Sequence, residues 1–241
     1  MKVSVVIPAY NEEKLLEETL GHVNKARRVF DELGWGSELV VCDNNSNDRT
    51  SEIAGSAGAK VVFEPINQIG RARNTGAKAA AGEWLIFVDA DSHPSPALFR
   101  DVAGEITSGN CLAGGSTVAL AGRYPVARII THSWNALSRV LRWAPGSFIF
   151  CEAAAFRRVG GFDERLYASE EIELFQRLKK EARANRRRIT ILHRHPLITS
   201  ARKLHLYSAG EHVRFLLRTV IGRGRTLSDR DACHTWYDGR R

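Results

Sequence analysis

Apolar residues change period several times along this chain, and each change marks an element. Residues 2–7 are mostly β-branched and apolar, the composition of a strand buried on both faces. Pro8 has no N–H for a central ladder, so the strand is expected to end there and open into a functional loop. From Lys14 onward Leu16, Leu20, Val23, Phe30 and Leu33 recur near helical spacing. Glu17, Glu18, Lys25, Arg27 and Arg28 fall largely elsewhere, which predicts an amphipathic helix closed by Gly34 and Gly36. Strands at 38–42, 60–63 and 83–88, with helices at 50–57 and about 71–81, complete a β-α-β-α-β-α-β series.

Such alternation predicts an α/β fold with a mixed, mainly parallel sheet and helices on both faces. Ligands in these sheets sit beyond the carboxyl ends of the strands. Three polar loops occupy those ends: 8–12, 43–48 and 89–91. Past Asp91 the rhythm loosens into a helix near 96–106, a strand near 112–120, a helix across 127–141, a short strand at 147–150, a helix at 169–182 and a strand at 189–192. No long linker, repeat or low-complexity segment divides the chain. The expected organisation is one catalytic domain over 1–195, with a nucleotide half at about 1–110 and an acceptor half at about 111–195. A basic extension, 196–241, follows, packed on the domain or on a membrane surface. Val213, Leu216, Leu217, Val220 and Ile221 form its apolar stripe.

With 241 residues, 44% hydrophobic and 26% charged, the chain can bury a sizeable core, which excludes a disordered, collagenous or disulfide-stapled protein. A formal net charge of +8 favours anionic partners such as nucleotides, phosphosugars or an acidic membrane surface. No apolar run reaches the roughly 18 residues of a membrane span, and residues 3–7 are too short for a secretory signal. The expected location is cytoplasmic, with peripheral contact at the inner membrane surface through the extension. Cys42, Cys111, Cys151 and Cys233 form no CxxC pair, so reduced, buried thiols are expected rather than a zinc or redox site.

The chemistry concentrates in Asp89-Ala90-Asp91, two carboxylates at the end of a strand. Hard divalent cations prefer such oxygens, and Mg²⁺ commonly combines one or two carboxylates with substrate phosphates. Asp residues are also frequent turn formers, so the pair gains weight from Asp43 and from Pro8-Ala9-Tyr10-Asn11-Glu12 at two neighbouring strand ends.

Four pieces in order then make the chain similar to the inverting glycosyltransferases of family 2, which have the GT-A fold: VSVVIPAYNEE at 3–13, VVCDNNSNDRT at 40–50, ARNTGAKAAAGEWLIFVDAD at 72–91 and VGGFDERLYASEEIELFQRL at 159–178. The resemblance implies a metal-dependent transfer of a sugar from a nucleoside diphosphate sugar to a hydroxyl acceptor, either a saccharide, a lipid or a small molecule. It implies that Pro8, Ala9, Tyr10 and Glu12 line the pocket for base and ribose, and that Asp43 accepts a hydrogen bond from the base, with Asn45 beside it. Members commonly carry Asp-Gly or Gly-Ser where this sequence has Asn44-Asn45. Arg73, matching the RN pair Arg73-Asn74, is expected at the nucleotide, where a guanidinium fork at a helix start suits phosphate oxygens. Asp89 and Ala90 are expected near ribose and cation, and Asp91 on the cation itself, Mn²⁺ or Mg²⁺. Glu171 is the expected general base, with Glu170 as its alternate. A Glu pair at a helix start also suits the macrodipole without any catalytic role.

Further expectations are weaker in pattern. His193, His195 and His205 offer a late metal ligand, although a structural histidine is the commoner case. Arg202 and Lys203 suit a pyrophosphate, and Trp134, Trp143 and Tyr167 suit stacking on an acceptor, although buried aromatics more often serve a core. A sugar-nucleotide pyrophosphorylase ranks second, because the Gly-rich loop such enzymes carry after the first strand is replaced here by Pro-Ala-Tyr-Asn-Glu. A basic module binding nucleic acid or a membrane surface ranks third. No zinc-finger or RNA-binding aromatic motif accompanies the charge, so no nucleic-acid partner is expected.

Overall fold

The computed structural model describes residues 1–122 and 125–200. In chain order the elements are β1 (Lys2–Ala9), α1 (Leu16–Glu32), β2 (Gly36–Asp43), α2 (Thr50–Ser56), β3 (Lys60–Phe63), α3 (Ile69–Ala79), β4 (Trp84–Val88), β5 (Ser92–His93), α4 (Pro96–Thr107), β6 (Cys111–Leu120), α5 (Pro125–Leu141), β7 (Phe148–Glu152), α6 (Ala153–Arg158), α7 (Glu170–Ala184) and β8 (Arg188–Thr199). The strands form one sheet in the order β3-β2-β1-β4-β7-β6-β8-β5. β1 pairs in parallel with β2 and β4, β2 with β3, and β6 with β8; β4–β7, β6–β7 and β5–β8 are antiparallel. The expected mixed, mainly parallel α/β architecture is therefore present.

Period-2 alternation distributes the strands between two cores. Val3, Val5 and Ile7 of β1 and Ile86 and Val88 of β4 join Leu20, Phe30 and Phe99 from α1 and α4 on one face. Val6, Leu85 and Phe87 join Ala77, Phe162, Phe175 and Leu178, mostly from α3 and α7, on the other. Because both faces are covered, every residue of β4 is buried. Cys42, Cys111 and Cys151 are free and buried, and burial pushes the Cys42 thiol up to about 12 and Cys111 to about 11, which keeps them unreactive. Cys233 lies outside the described residues.

Three local outcomes differ from the sequence expectation. β1 continues through Pro8 to Ala9, because its pairing with β4 runs only from Val3 to Val6 while β2 stays alongside to Asp43. The prolyl nitrogen falls where one neighbour has already left, so the missing donor is tolerated. β8 runs past Leu192 and through Pro196 to Thr199, because β6 is long enough to accompany it. Between Ser116↔Leu192 and Val118↔Leu197 the register jumps, and Pro196 sits in that bulge. Finally, α1 starts at Leu16, two residues late, and the residues before it become a loop. Among the described residues no helix is long and apolar enough to cross a membrane.

Candidate active site

Parallel strands β1, β2 and β4 point their carboxyl ends to one edge of the sheet, and the polar loops predicted there are present in two differently built groups. The first joins the loop after β1 to the loop after β2. Asn11 N donates to Ser46 Oγ at 3.0 Å, Asn47 N to Asn11 Oδ1 at 2.9 Å, Glu12 N to Thr50 Oγ1 at 2.9 Å and Glu13 N to Asp48 Oδ2 at 3.1 Å. Asn11 and Asn45 hold φ values of 51° and 66°, the left-handed region that Asn tolerates better than most residues. Pro8, Ala9 and Glu12 are buried, Tyr10 is half-buried and Asn45 is exposed. The Asp43 carboxylate accepts from Ser46 N at 2.9 Å and from Ser51 Oγ, so it also closes its own loop.

The second group is built around Arg73, which is 1% exposed. Its Nη1 donates to Glu170 Oε1 at 2.7 Å, and its Nη2 to Asp89 Oδ1 and to the Gly146 carbonyl, both at 2.8 Å. Its guanidinium carbon lies 5.2 Å from the Phe162 ring centroid. Both terminal nitrogens of Arg73 are engaged by protein oxygens, and three carboxyl groups, Asp89, Glu170 and Glu171, act on this one buried cation. Gly146 permits the approach, since a Cβ there would lie 3.3 Å from Arg73 Nη2 and 3.5 Å from Glu171 Cδ.

Glu170 and Glu171 open α7 behind Ser169, which holds φ 61°. Glu170 is buried in its ion pair. Burial and the neighbouring Glu170 carboxylate together push the Glu171 carboxyl up to about 8, with Arg73 offsetting only part of the rise. A carboxyl held above its ordinary range in this way has the acidity suited to a general base. Asp91 is partly exposed, with Ser92 Oγ 3.5 Å from its Oδ1. The Ala90 carbonyl between the two aspartates accepts from Thr19 Oγ1 at 2.8 Å, which fixes the turn to α1.

Several residues that hold this site have partners that no local pattern predicts. Asn74 grips the turn before α7 through both amide atoms, accepting from Phe162 N and donating to the Phe162 carbonyl, each at 2.9 Å. Gln68 donates to the carbonyls of Glu164 and Leu166 at 2.8 Å, and its own N–H goes to Asn44 Oδ1 at 2.9 Å. Their partners are up to 98 residues away, so no spacing rule could have found them. Arg71 pairs with Glu64 and Glu164. His195 Nδ1 lies 2.9 Å from Asp101 Oδ2, and His193 is exposed. Trp143 packs against the core and beneath the Lys179 ammonium, while Trp134 and Tyr167 are half-buried. Arg202, Lys203 and His205 lie outside the described residues.

A parallel-led sheet carrying this carboxylate rim defines a GT-A fold. The family described as Glycosyl transferase family 2 matches residues 4–166, and the chain belongs to that family. It is 33% identical over 128 residues to a dolichol-phosphate mannosyltransferase of Pyrococcus furiosus, a match covering 51% of this chain and 35% of that protein. It is 33% identical over 113 residues to the poly(ribitol-phosphate) beta-N-acetylglucosaminyltransferase TarS of Staphylococcus aureus, covering 44% and 19%. These matches take in about a third or less of each relative's length. Among solved structures, S. aureus TarS 1–349 in complex with UDP-GlcNAc has a TM-score of 0.65 at 22% identity, covering 98% of this chain and 69% of that one. Glucosyl-3-phosphoglycerate synthase from Mycobacterium tuberculosis, in complex with Mn²⁺, UDP-glucose and phosphoglyceric acid, has a TM-score of 0.61 at 20% identity, covering 92% and 79%. At those identities the likeness is one of fold.

Proposed function

We propose that this chain transfers a sugar, with inversion, from a nucleoside diphosphate sugar to a hydroxyl acceptor. The observation that carries the reading is the convergence of Asp89, Glu170 and Glu171, from β4 and α7, on the single buried guanidinium of Arg73. Inversion needs one carboxylate that takes the proton of the attacking hydroxyl, and Glu171 has the raised acidity for it. Arg73 and Glu170 orient that carboxylate, and the loops after β1 and β2 receive base and ribose.

The donor set fits a hard divalent cation. Three carboxyl groups face one guanidinium and Asp91 stands two residues from Asp89, so the rim carries excess negative charge that would otherwise repel a diphosphate. Asp91 and Asp89 would hold the ion. When bound, Mn²⁺ or Mg²⁺ supplies Lewis-acid stabilisation of the charge that grows on the leaving diphosphate. Mn²⁺ and a UDP-sugar are named for the mycobacterial synthase, and UDP-GlcNAc for TarS, which supports a UDP-sugar as the first donor to test.

The experiment is donor turnover over UDP- and GDP-sugars with Mn²⁺ or Mg²⁺. Glu171→Gln is expected to lose about 10²–10⁴-fold in kcat while donor affinity is retained. Asp91→Asn is expected to abolish the metal-dependent part of donor binding. Full turnover in Glu171→Gln would remove the assigned base, and equal donor affinity with and without metal would remove the cation.

A further inference from the structure

Away from the Arg73 cluster, α1 and β5 bring together a different set of metal-ligating groups. Glu18 and His22 are one helical turn apart on α1, hence on one face. His93 forms the end of the two-residue β5. The His22 and His93 rings stack with centroids 4.6 Å apart and planes at 9°, and His93 Nδ1 lies 3.8 Å from Glu18 Oε1. One ligand atom from each of the three lies within 4.8 Å of the others, and no other such group is found among the described residues. From this juxtaposition we propose that Glu18, His22 and His93 form a second metal site, selective for Zn²⁺ or a neighbouring late transition ion and separate from the Asp89–Asp91 rim.

The chemistry of the ligands sets the selectivity. Two imidazoles and one carboxylate suit Zn²⁺, Cu²⁺ or Ni²⁺, whereas carboxylate and phosphate oxygens suit Mg²⁺ and Mn²⁺. Tetrahedral donors at about 2.0–2.1 Å from zinc are about 3.3 Å apart, so the three atoms must close by at most roughly 1.5 Å, and the exposed His22 ring must turn out of its stack on His93 to aim a nitrogen at the ion. Glu18 and His22 are exposed and can swing, while His93, with its side chain 19% exposed, provides the anchored ligand. Three protein ligands leave a fourth position for water.

Placement gives the site a role. Thr19, next to Glu18 on α1, already bonds the Ala90 carbonyl between the two rim aspartates. His93 is two residues beyond Asp91, and on its other side β5 pairs with β8 through Ser92↔Thr199 and His93↔Ile198. A cation bridging His93 to Glu18 and His22 is a second clip between α1 and the Asp89–His93 segment, one turn along from the first. It stabilises the fold by selective binding to the native state.

The test is Zn²⁺ binding to the tag-free full chain, by competition with a chromophoric chelator, and thermal unfolding with and without Zn²⁺. Both are done in an Asp91→Asn background, so that the rim contributes no carboxylate pair. One equivalent of Zn²⁺ is expected to bind and to raise Tm. His22→Gln and His93→Gln are each expected to weaken binding by at least roughly tenfold and to abolish the Tm rise. Glu18→Gln, at an exposed helix position, is expected to weaken binding with the apo Tm unchanged. His22 is also exposed, so its variant keeps the fold even where His93→Gln does not. Absent Zn²⁺ binding, or binding undiminished in His22→Gln and Glu18→Gln because other histidines hold the ion, overturns the proposal.

Discussion

The two groups at the carboxyl edge of the sheet reach order by opposite means. Between the β1 and β2 loops, cohesion is spread over many hydrogen bonds, most of them from backbone N–H groups to side-chain oxygens, several of them at exposed positions. Between β4 and α7, cohesion is concentrated in one buried guanidinium that three carboxyl groups face. A distributed network loses little when one bond is removed, because water replaces the partner. A buried ion cluster loses much, because the partners left behind are charged and cannot reach water. The first rim therefore tolerates change in its loop, and the second does not.

Arg73→Ala is the sharpest break in that contrast. It strands Glu170 and Asp89 beside Glu171 and is expected to cost about 3–5 kcal/mol, seen as a large drop in Tm. Arg73→Lys keeps the charge but not the fork that spans Glu170, Asp89 and the Gly146 carbonyl, so it should recover only part of the loss. If Arg73→Ala unfolds within a degree of the parent, the cluster does not hold the site together.

The same cluster has a pH signature. The folded-state pKa of Glu171 is raised from an ordinary 4.5 to about 8, so the protonated carboxyl suits the folded protein. Its favourable contribution is complete below about pH 4.5 and is lost as pH rises through about 8. Glu171→Gln stays neutral throughout. Relative to wild type it should be increasingly stabilised between those two values, by an amount of order a few kcal/mol at the alkaline end. Thermal melts of both proteins across that range measure it, and a difference independent of pH would contradict the assignment.

A smaller effect is expected one step outward, where the Asn74 amide holds the turn before α7. Gly161 has φ +70°, and a Cβ there would lie 2.6 Å from Asn74 Oδ1. Gly161→Ala is expected to cost roughly 1–3 kcal/mol through backbone conformation alone. It should also lower kcat, since Phe162 leads into the segment that carries Glu170 and Glu171. A variant with unchanged Tm and turnover would show that the turn is free to relax.

The first rim and its scaffold were legible because they are local. The alternation over residues 2–88 places every strand and helix of β1 to β4 within a few residues of its observed bounds. The tripeptide Asp89-Ala90-Asp91 marks its own position at a strand end. β5 was not legible, because two residues have no period of their own and become a strand only when Thr199 and Ile198 of β8 arrive beside them. Nor was the passage of β8 through Pro196, which depends on the length of β6. The motif singles out Arg73, but nothing in the sequence pairs it with Asp89 and Glu170. A basic side chain at a helix start reads as an anion ligand, and only the folded chain brings Glu170, 97 residues on, to its Nη1. The sequence marks Asn74 only as the second half of the RN pair and Gln68 not at all, because their partners lie 88 and 98 residues away.

The smallest expected effect belongs to the first rim. Thr50 is fully buried, and its Oγ1 accepts from Glu12 N at 2.9 Å and donates to Asp48 Oδ1. Thr50→Val preserves shape but leaves the Glu12 N–H without its acceptor, at a cost of about 1–2 kcal/mol. Thr50→Ser keeps the hydroxyl and should cost less than the Val variant. Because neighbouring bonds from Asn11 and Glu13 remain, donor affinity is expected to fall only a few-fold in Thr50→Val while kcat is unchanged. This is the reverse of the Glu171→Gln pattern. Loss of kcat in Thr50→Val with affinity intact would mean that the two rims act as one unit, and the division between a distributed donor cradle and a concentrated catalytic cluster would fail.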